Sequence, residues 1–105
     1  MERASQNQVL QAVHDTAVEC GALKAILFGS YARGTETRRS DVDAVFVEDT
    51  GQRFIERLDR YMNGIYDRLG IPAEVFVYTP AEFAAMQGGV FMKRIVREGV
   101  VAYER

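Results

Sequence analysis

The sequence predicts an α/β domain of the α+β kind, in which a small mixed β-sheet is packed against helices on one side. The chain has 105 residues, a length that suits one compact domain. Hydrophobic residues make up 48% of it, which is enough for an ordinary core. Their spacing alternates between helical and strand-like patterns, in the order helix, strand, strand, helix, strand and further helices. We therefore expect residues 1–105 to form a single domain.

The first half of the chain is expected to contain one helix and two strands. Residues 5–20 are amphipathic, since apolar residues recur at every fourth position from Val9, and Gly21 suits the end of such a helix. Residues 23–28 form a short apolar run that predicts the first strand. Residues 41–47 contain the segment VDAVFV, which is apolar enough to form a buried second strand.

The second half is expected to contain the longest helix, a third strand and shorter elements. Residues 52–69 carry apolar side chains at helical spacing, and residues 73–78 predict the strand. Residues 79–82 read TPAE, in which a threonine cap, a proline at the first helical position and a glutamate indicate a helix start. A short helix is expected over residues 90–98, and residues 100–103 could add an edge strand.

Composition and charge argue against several classes of partner. The net charge is −2, so there is no electrostatic case for a general nucleic-acid binder, and we do not expect nucleic acid as a direct partner. No segment approaches the roughly 20 apolar residues that a membrane span needs, and the polar N-terminus is unlike a signal peptide. The single cysteine fits a reducing compartment. We therefore expect a cytoplasmic protein with no membrane partner.

The first feature with chemical meaning is the dipeptide Gly29-Ser30, which ends the first predicted strand. Glycine lets the backbone approach a ligand closely because it has no side chain. Unpaired N–H groups in a turn that leads into a helix can hold an anion, and a serine hydroxyl can add a hydrogen bond to a phosphate oxygen. Taken alone, such a pair is more often an ordinary turn.

Two acids, Asp41 and Asp43, follow at the start of the second predicted strand. Alternate residues of a strand project from the same face, so the two carboxylates should lie side by side. Like charges at that distance repel each other unless a cation lies between them, and Mg²⁺ prefers such oxygen ligands. A bare Asp-x-Asp is commonly a pair of solvated acids, but here it stands between a glycine-serine turn and an apolar strand.

Glu74 is the candidate third acid, near the start of the third predicted strand. If that strand lies beside the strand of Asp41, the Glu74 carboxylate can join the other two. Three acids can bind two metal ions, one on the nucleotide phosphates and one on the attacking hydroxyl. Glu74 could also help to deprotonate that hydroxyl. The simpler alternative is an ordinary glutamate at the edge of the sheet.

The spacing of these residues resembles the defining motif of the minimal nucleotidyltransferases, which belong to the DNA polymerase beta superfamily. The motif reads Gly29-Ser30-x-x-Arg33-Gly34, then five residues, then Ser40-Asp41-x-Asp43. A helix before the motif, an acidic strand after a long helix and the final segment IVREGVVAYER are also similar to the family. The resemblance thus covers nearly the whole chain and implies a polymerase-beta-like nucleotidyltransferase fold.

The resemblance also implies roles for individual residues, with ATP as the substrate and two Mg²⁺ ions as cofactors. The nucleotide-binding residues would be Gly29, Ser30, Arg33 and Ser40. The catalytic and metal-binding residues would be Asp41, Asp43 and Glu74. Arg33 could contact phosphate or only support its loop. The third acid is often aspartate in this superfamily, and the longer glutamate leaves its role as a base more open than its role in metal binding.

Small members of this family are commonly paired with a helical protein of the HEPN type in a toxin–antitoxin system. The resemblance implies that this chain is the antitoxin and transfers AMP from ATP onto a hydroxyl of that partner, a tyrosine in some members. Two alternatives stay open at this point. The chain could neutralise its partner by occlusion without catalysis, or it could modify a small molecule such as an antibiotic. The short chain argues against the small molecule because little remains to build its pocket.

Overall fold

A computed structural model describes residues 4–105, which form helices packed on a four-stranded sheet. The helices are α1 (Gln6–Cys20), α2 (Gly29–Arg33), α3 (Leu58–Leu69), α4 (Pro80–Ala85) and α5 (Val90–Glu98). The strands are β1 (Lys24–Phe28), β2 (Val42–Val47), β3 (Ala73–Tyr78) and β4 (Val100–Glu104). Within the described part of the chain, no helix is long and apolar enough to cross a membrane.

Most predicted elements agree with these bounds, and two differ. The predicted turn at Gly29 is the start of the short helix α2. The predicted long helix is shorter, because Phe54–Arg57 forms a 3-10 turn that leads into α3. The capping predictions are confirmed at α4, where the Thr79 hydroxyl accepts a hydrogen bond from the Glu82 N–H at 3.2 Å.

The sheet is mixed and has the strand order β3-β2-β1-β4. Strand β1 is antiparallel to both β2 and β4, whereas β2 and β3 are parallel. This arrangement confirms the predicted mixed sheet. It also meets the condition set for Glu74, because the strand that carries Glu74 lies beside the strand that follows Asp41.

The two long helices, α1 and α3, cover one face of the sheet. Their buried side chains, among them Val13 and Ile65, form one core with Leu27 and Phe46 of the central strands. Helices α4 and α5 lie on the opposite face. Here Met92 and Ile95 of α5, with partly buried Phe83 and Met86 of α4, pack on Ile26, Phe28 and Val45. Helices therefore cover both faces of the sheet, whereas the sequence predicted helices on one face. The central strands are apolar on both faces, and such strands need a cover on each.

Two buried charged residues join the elements at the end of the sheet away from the glycine-serine turn. Arg57 donates hydrogen bonds to the Val77 carbonyl at 3.1 Å and to Glu82 at 2.6 Å. Glu48 accepts two hydrogen bonds from Arg60, at 2.9 and 3.1 Å. Both buried charges are therefore paired, as buried charges must be to avoid a large desolvation cost.

Candidate active site

Strand β1 passes directly into α2 at Gly29, and this junction brings the backbone against Asp43. Phe28, the last residue of β1, is the register partner of Asp43 on β2. Gly29 has a φ of 74°, a left-handed conformation that favours glycine. A Cβ atom at this position would lie 2.1 Å from Oδ2 of Asp43. Glycine is therefore required both for the turn and for the space that the carboxylate occupies.

The three predicted acids form one electrostatic cluster. Asp43 and Glu74 are register partners on β2 and β3, so their side chains leave the same face of the sheet. Asp41 lies one residue before β2 and is exposed, as is Glu74, whereas Asp43 is half-buried. Burial raises the pKa of Asp43, and the negative charges of Glu74 and Asp41 raise it further, to about 6 from an ordinary value of 3.8.

The three carboxylates are neighbours without forming a complete metal cage. Among residues 4–105, no three histidine, cysteine or acidic side chains are gathered closely enough to hold a metal ion. The donor chemistry still fits a divalent cation, because a half-buried carboxylate beside two like charges gains from a positive ion between them. Mg²⁺ suits such a partial site, since it usually keeps several water ligands and substrate phosphates in its shell.

The two predicted nucleotide-binding serines have different surroundings. Ser30 is half-buried, and no hydrogen bond of its hydroxyl occurs within the described residues. The Ser40 hydroxyl instead accepts a hydrogen bond from the Thr37 N–H at 2.8 Å, and the Ser40 N–H donates to the Thr37 carbonyl at 3.1 Å. Ser40 therefore closes the loop before β2. Its contact with a nucleotide stays a prediction.

Arg33 does not pair within its own loop. Its Nη1 donates to Oε2 of Glu98 at 3.1 Å, and the same oxygen accepts a hydrogen bond from Nε of Arg94 at 3.2 Å. The charges of Arg94 and Arg33 partly offset the rise in the pKa of Asp43. Neither Arg94 nor Glu98 is among the site residues predicted from the sequence. The two residues are spaced four positions apart on a predicted helix, and this spacing is common on exposed helices and does not indicate a site by itself.

A shallow depression of about 240 Å³ lies beside Asp41. Its other lining residues come from α2, from the loop before β2 and from the turn before β3. These residues are Tyr31, Arg38, Arg39, Ser40, Gly70, Ile71 and Pro72. Arg38 and Arg39 are both exposed. They place two positive charges in this depression, where they could contact an anionic ligand bound next to Asp41.

A mixed sheet that gathers carboxylates beside a glycine-serine helix start defines a class of domain suited to phosphoryl-group chemistry. The sequence identifies the family within this class. Residues 9–101 match the model of the nucleotidyltransferase domain, and the chain belongs to that family. The match confirms the family expected from the motif. No curated protein matches the chain.

Several solved structures share this fold. A toxin–antitoxin complex crystallised with AMP-PNP gives a TM-score of 0.68 at 17% identity, over 97% of this chain and 75% of that one. A protein from Sulfolobus solfataricus described as a nucleotidyltransferase gives 0.58 at 19% identity, over 95% and 84%. A mutant of the toxin–antitoxin complex MntA–HpeT gives 0.64 at 16% identity, over 97% and 75%. At these identities the likeness establishes the fold.

Proposed function

We propose that this protein is a Mg²⁺-dependent nucleotidyltransferase that transfers AMP from ATP onto a hydroxyl of a protein partner. We further propose that it acts as the antitoxin of a helical HEPN-type toxin. The main support for the catalytic proposal is the electrostatic repulsion among the carboxylates of Asp41, Asp43 and Glu74. Burial and the two like charges raise the pKa of Asp43, which lies against Gly29, to about 6. Such repulsion is typical of acids that share a cation.

In the proposed reaction, the acceptor oxygen forms a bond to the α-phosphorus of ATP. The bond from that phosphorus to the bridging oxygen breaks, and pyrophosphate leaves. Glu74 is exposed, so its carboxylate is available to take the proton of an acceptor hydroxyl that arrives from solvent. Two Mg²⁺ ions would be held by Asp41, Asp43 and Glu74. When bound, these ions would neutralise the phosphate charge and activate the hydroxyl. Gly29 and Ser30 would hold the triphosphate through backbone N–H groups and the serine hydroxyl.

A protein acceptor is favoured over a small molecule by the shape of the surface near the acids. The depression beside Asp41 measures about 240 Å³, which is below the roughly 300–1,000 Å³ of typical small-molecule pockets. An acceptor presented by another protein needs no such pocket. The fold shared with solved toxin–antitoxin structures, one of them crystallised with AMP-PNP, supports ATP as the nucleotide and a toxin as the partner.

The proposal can be tested by intact-mass analysis of the HEPN-type partner after co-expression. The wild-type protein should add AMP-sized mass increments to the partner in the presence of ATP and Mg²⁺. Asp43→Asn should remove these increments, because positioning and charge neutralisation supply most of the rate in phosphoryl transfer. It should leave the complex intact. Asp49→Asn makes the same chemical change at an exposed residue beyond the end of β2, and it should modify the partner normally.

A partner that forms a stable complex with the wild-type protein but never gains mass would contradict the transferase proposal. Neutralisation by occlusion would then explain the pairing. Increments that persist in Asp43→Asn would contradict the assignment of the acid cluster.

A further inference from the structure

Arg33 and Arg94 come from separate helices and share one carboxylate. Oε2 of Glu98 accepts from Nη1 of Arg33 at 3.1 Å and from Nε of Arg94 at 3.2 Å. The Glu98 side chain is 15% exposed, whereas the side chains of Arg33 and Arg94 are 40% and 44% exposed. The carboxylate is therefore largely covered, and the two guanidinium groups that it holds remain in reach of a ligand from solvent.

The position of Arg94 relates it to the acid cluster. Its guanidinium carbon lies 5.5 Å from the centroid of the Phe28 ring. Phe28 is the register partner of Asp43 and directly precedes Gly29. The Phe28 ring packs on the sheet face that α5 covers, which is also the face from which Asp43 and Glu74 project. Arg94 therefore lies on the same side of the sheet as the acids and next to the glycine-serine turn.

The hydrogen-bonding capacity of Arg94 is only partly used. A guanidinium has five N–H donors, four of them on its terminal nitrogens. Within residues 4–105, Arg94 donates to Glu98 through Nε, and no hydrogen bond of its terminal nitrogens is present. Arginine forks of this kind match the oxygen pairs of phosphate groups and bind them through two parallel hydrogen bonds. Glu98 fixes the orientation of the fork without occupying its terminal donors.

We propose that Arg94 is a phosphate-binding residue of the nucleotide site and that it acts side by side with Arg33. This inference rests on the proposed function for its ligand, a nucleoside triphosphate, and adds a residue that lies outside the glycine-serine and Asp-x-Asp motif. The acid cluster alone repels a triphosphate. Two arginines beside it lower that repulsion and hold the phosphate chain near the turn. Within residues 4–105, the one acidic side chain that forms an ion pair with either of them is Glu98. A purely structural role, in which Arg94 only ties α5 to α2 through Glu98, makes different predictions.

Equilibrium binding of ATP with Mg²⁺, measured by titration calorimetry, tests the inference without any acceptor. Arg94→Gln should weaken ATP binding about tenfold to a hundredfold, the effect expected for a lost hydrogen bond to a charged group. Arg94→Lys keeps the charge but loses the fork, so its loss should be smaller. Lys93→Gln removes a positive charge from the preceding exposed position of α5 and should leave the affinity unchanged.

Inorganic tripolyphosphate is the second probe, because it lacks the nucleoside. Its affinity should fall in Arg94→Gln by a factor similar to that for ATP. Thermal melting of each variant checks the fold, and Arg94→Lys serves as the test if the glutamine variant does not fold.

The outcomes separate this inference from the transferase proposal. If wild-type protein binds ATP and Arg94→Gln binds it equally well, the inference is wrong and the transferase proposal is unaffected. If wild-type protein binds ATP without modifying its partner, only the transferase proposal fails. If wild-type protein binds neither ATP nor tripolyphosphate, both fail.

Discussion

Replacing Asp43 with asparagine should stabilise the metal-free protein at neutral pH, although it removes a residue of the proposed active site. Burial, then the charges of Glu74 and Asp41, raise the pKa of Asp43 to about 6, against an ordinary value of 3.8 in an unfolded chain. Below pH 3.8 the carboxyl is protonated in both states and has no effect on stability. As the pH rises from 3.8 to about 6, the unfolded chain releases its proton first, so folding becomes less favourable. Above that range the full cost is present.

The size of the effect follows from the two pKa values. The difference between 3.8 and about 6 corresponds to about 3 kcal/mol, at about 1.4 kcal/mol per pKa unit. Asp43 is only half-buried, and solvent screening reduces this figure to about 1–2 kcal/mol. In a domain of this size, each 1 kcal/mol shifts the melting temperature by about 4–8 °C. The asparagine variant should therefore melt at least about 4 °C above the wild-type protein at about pH 7.5.

Thermal denaturation followed by circular dichroism, in a chelating buffer from about pH 4 to about pH 8, measures this difference. The two melting curves should converge toward the acidic end, where the wild-type carboxyl becomes protonated in the folded state. Asp49→Asn makes the same change at an exposed residue and should melt like the wild-type protein. If the Asp43→Asn variant is no more stable than wild type near pH 8, the acid cluster does not store the repulsion that we infer.

Two further predictions concern single residues of the fold. Gly29→Ala should destabilise the protein and abolish ATP binding, because φ is 74° and the new Cβ would lie 2.1 Å from Oδ2 of Asp43. Gly34→Ala is the matched control, because φ is 76° and a Cβ atom there would meet no atom of a non-adjacent residue within 4 Å among residues 4–105. A urea titration should show a cost of about 1–2 kcal/mol, and calorimetry should show normal ATP binding. Arg57→Met should lower the free energy of unfolding by about 2–4 kcal/mol in the same titration, since buried charged hydrogen bonds are lost. The exposed Arg53→Met should change it by less than about 1 kcal/mol, and an equal effect of the two arginine variants would contradict the role given to Arg57.

Local sequence signals were sufficient for the elements that have strong caps or periodicity. The bounds of β3 and α5 agree with the prediction, and α1 begins after the Ser5 cap near its predicted start. Helix α2 was missed because a five-residue segment that opens with glycine has the sequence of a turn. Its main-chain carbonyls receive hydrogen bonds from a distant residue, since the Gln6 side chain donates to Tyr31 and Ala32 at 3.0 Å each. Such support depends on tertiary structure and leaves no local signal.

The candidate site also has some features that the local sequence predicts and others that depend on tertiary structure. The spacing of Asp41 and Asp43 could be interpreted from the sequence because both acids belong to one strand segment. Glu74 could be added only on the condition that β3 lies beside β2, which is a long-range pairing. The contact of Arg33 with Glu98 joins residues 65 positions apart, so no pattern within either segment reveals it. The acids and Arg33 were therefore named from the sequence, whereas Arg94 and the contact of Arg33 with Glu98 became visible only in the fold.

The carboxylates at the two ends of β2 have opposite electrostatic surroundings. This contrast explains why the acid cluster should be stabilised by a cation. At one end, Glu48 accepts hydrogen bonds from Arg60 and from the Tyr61 hydroxyl, so the protein itself satisfies the charge. At the other end, the main electrostatic neighbours of Asp43 are the like charges of Glu74 and Asp41. A ligand that binds only the folded state adds stability in proportion to the logarithm of its concentration over its dissociation constant. Mg²⁺ with ATP should therefore raise the melting temperature of the wild-type protein by more than that of Asp43→Asn, so that the gap between the two proteins narrows. If the difference in melting temperature between the two proteins is the same with Mg²⁺ and ATP as in chelator, the acid cluster does not bind a cation.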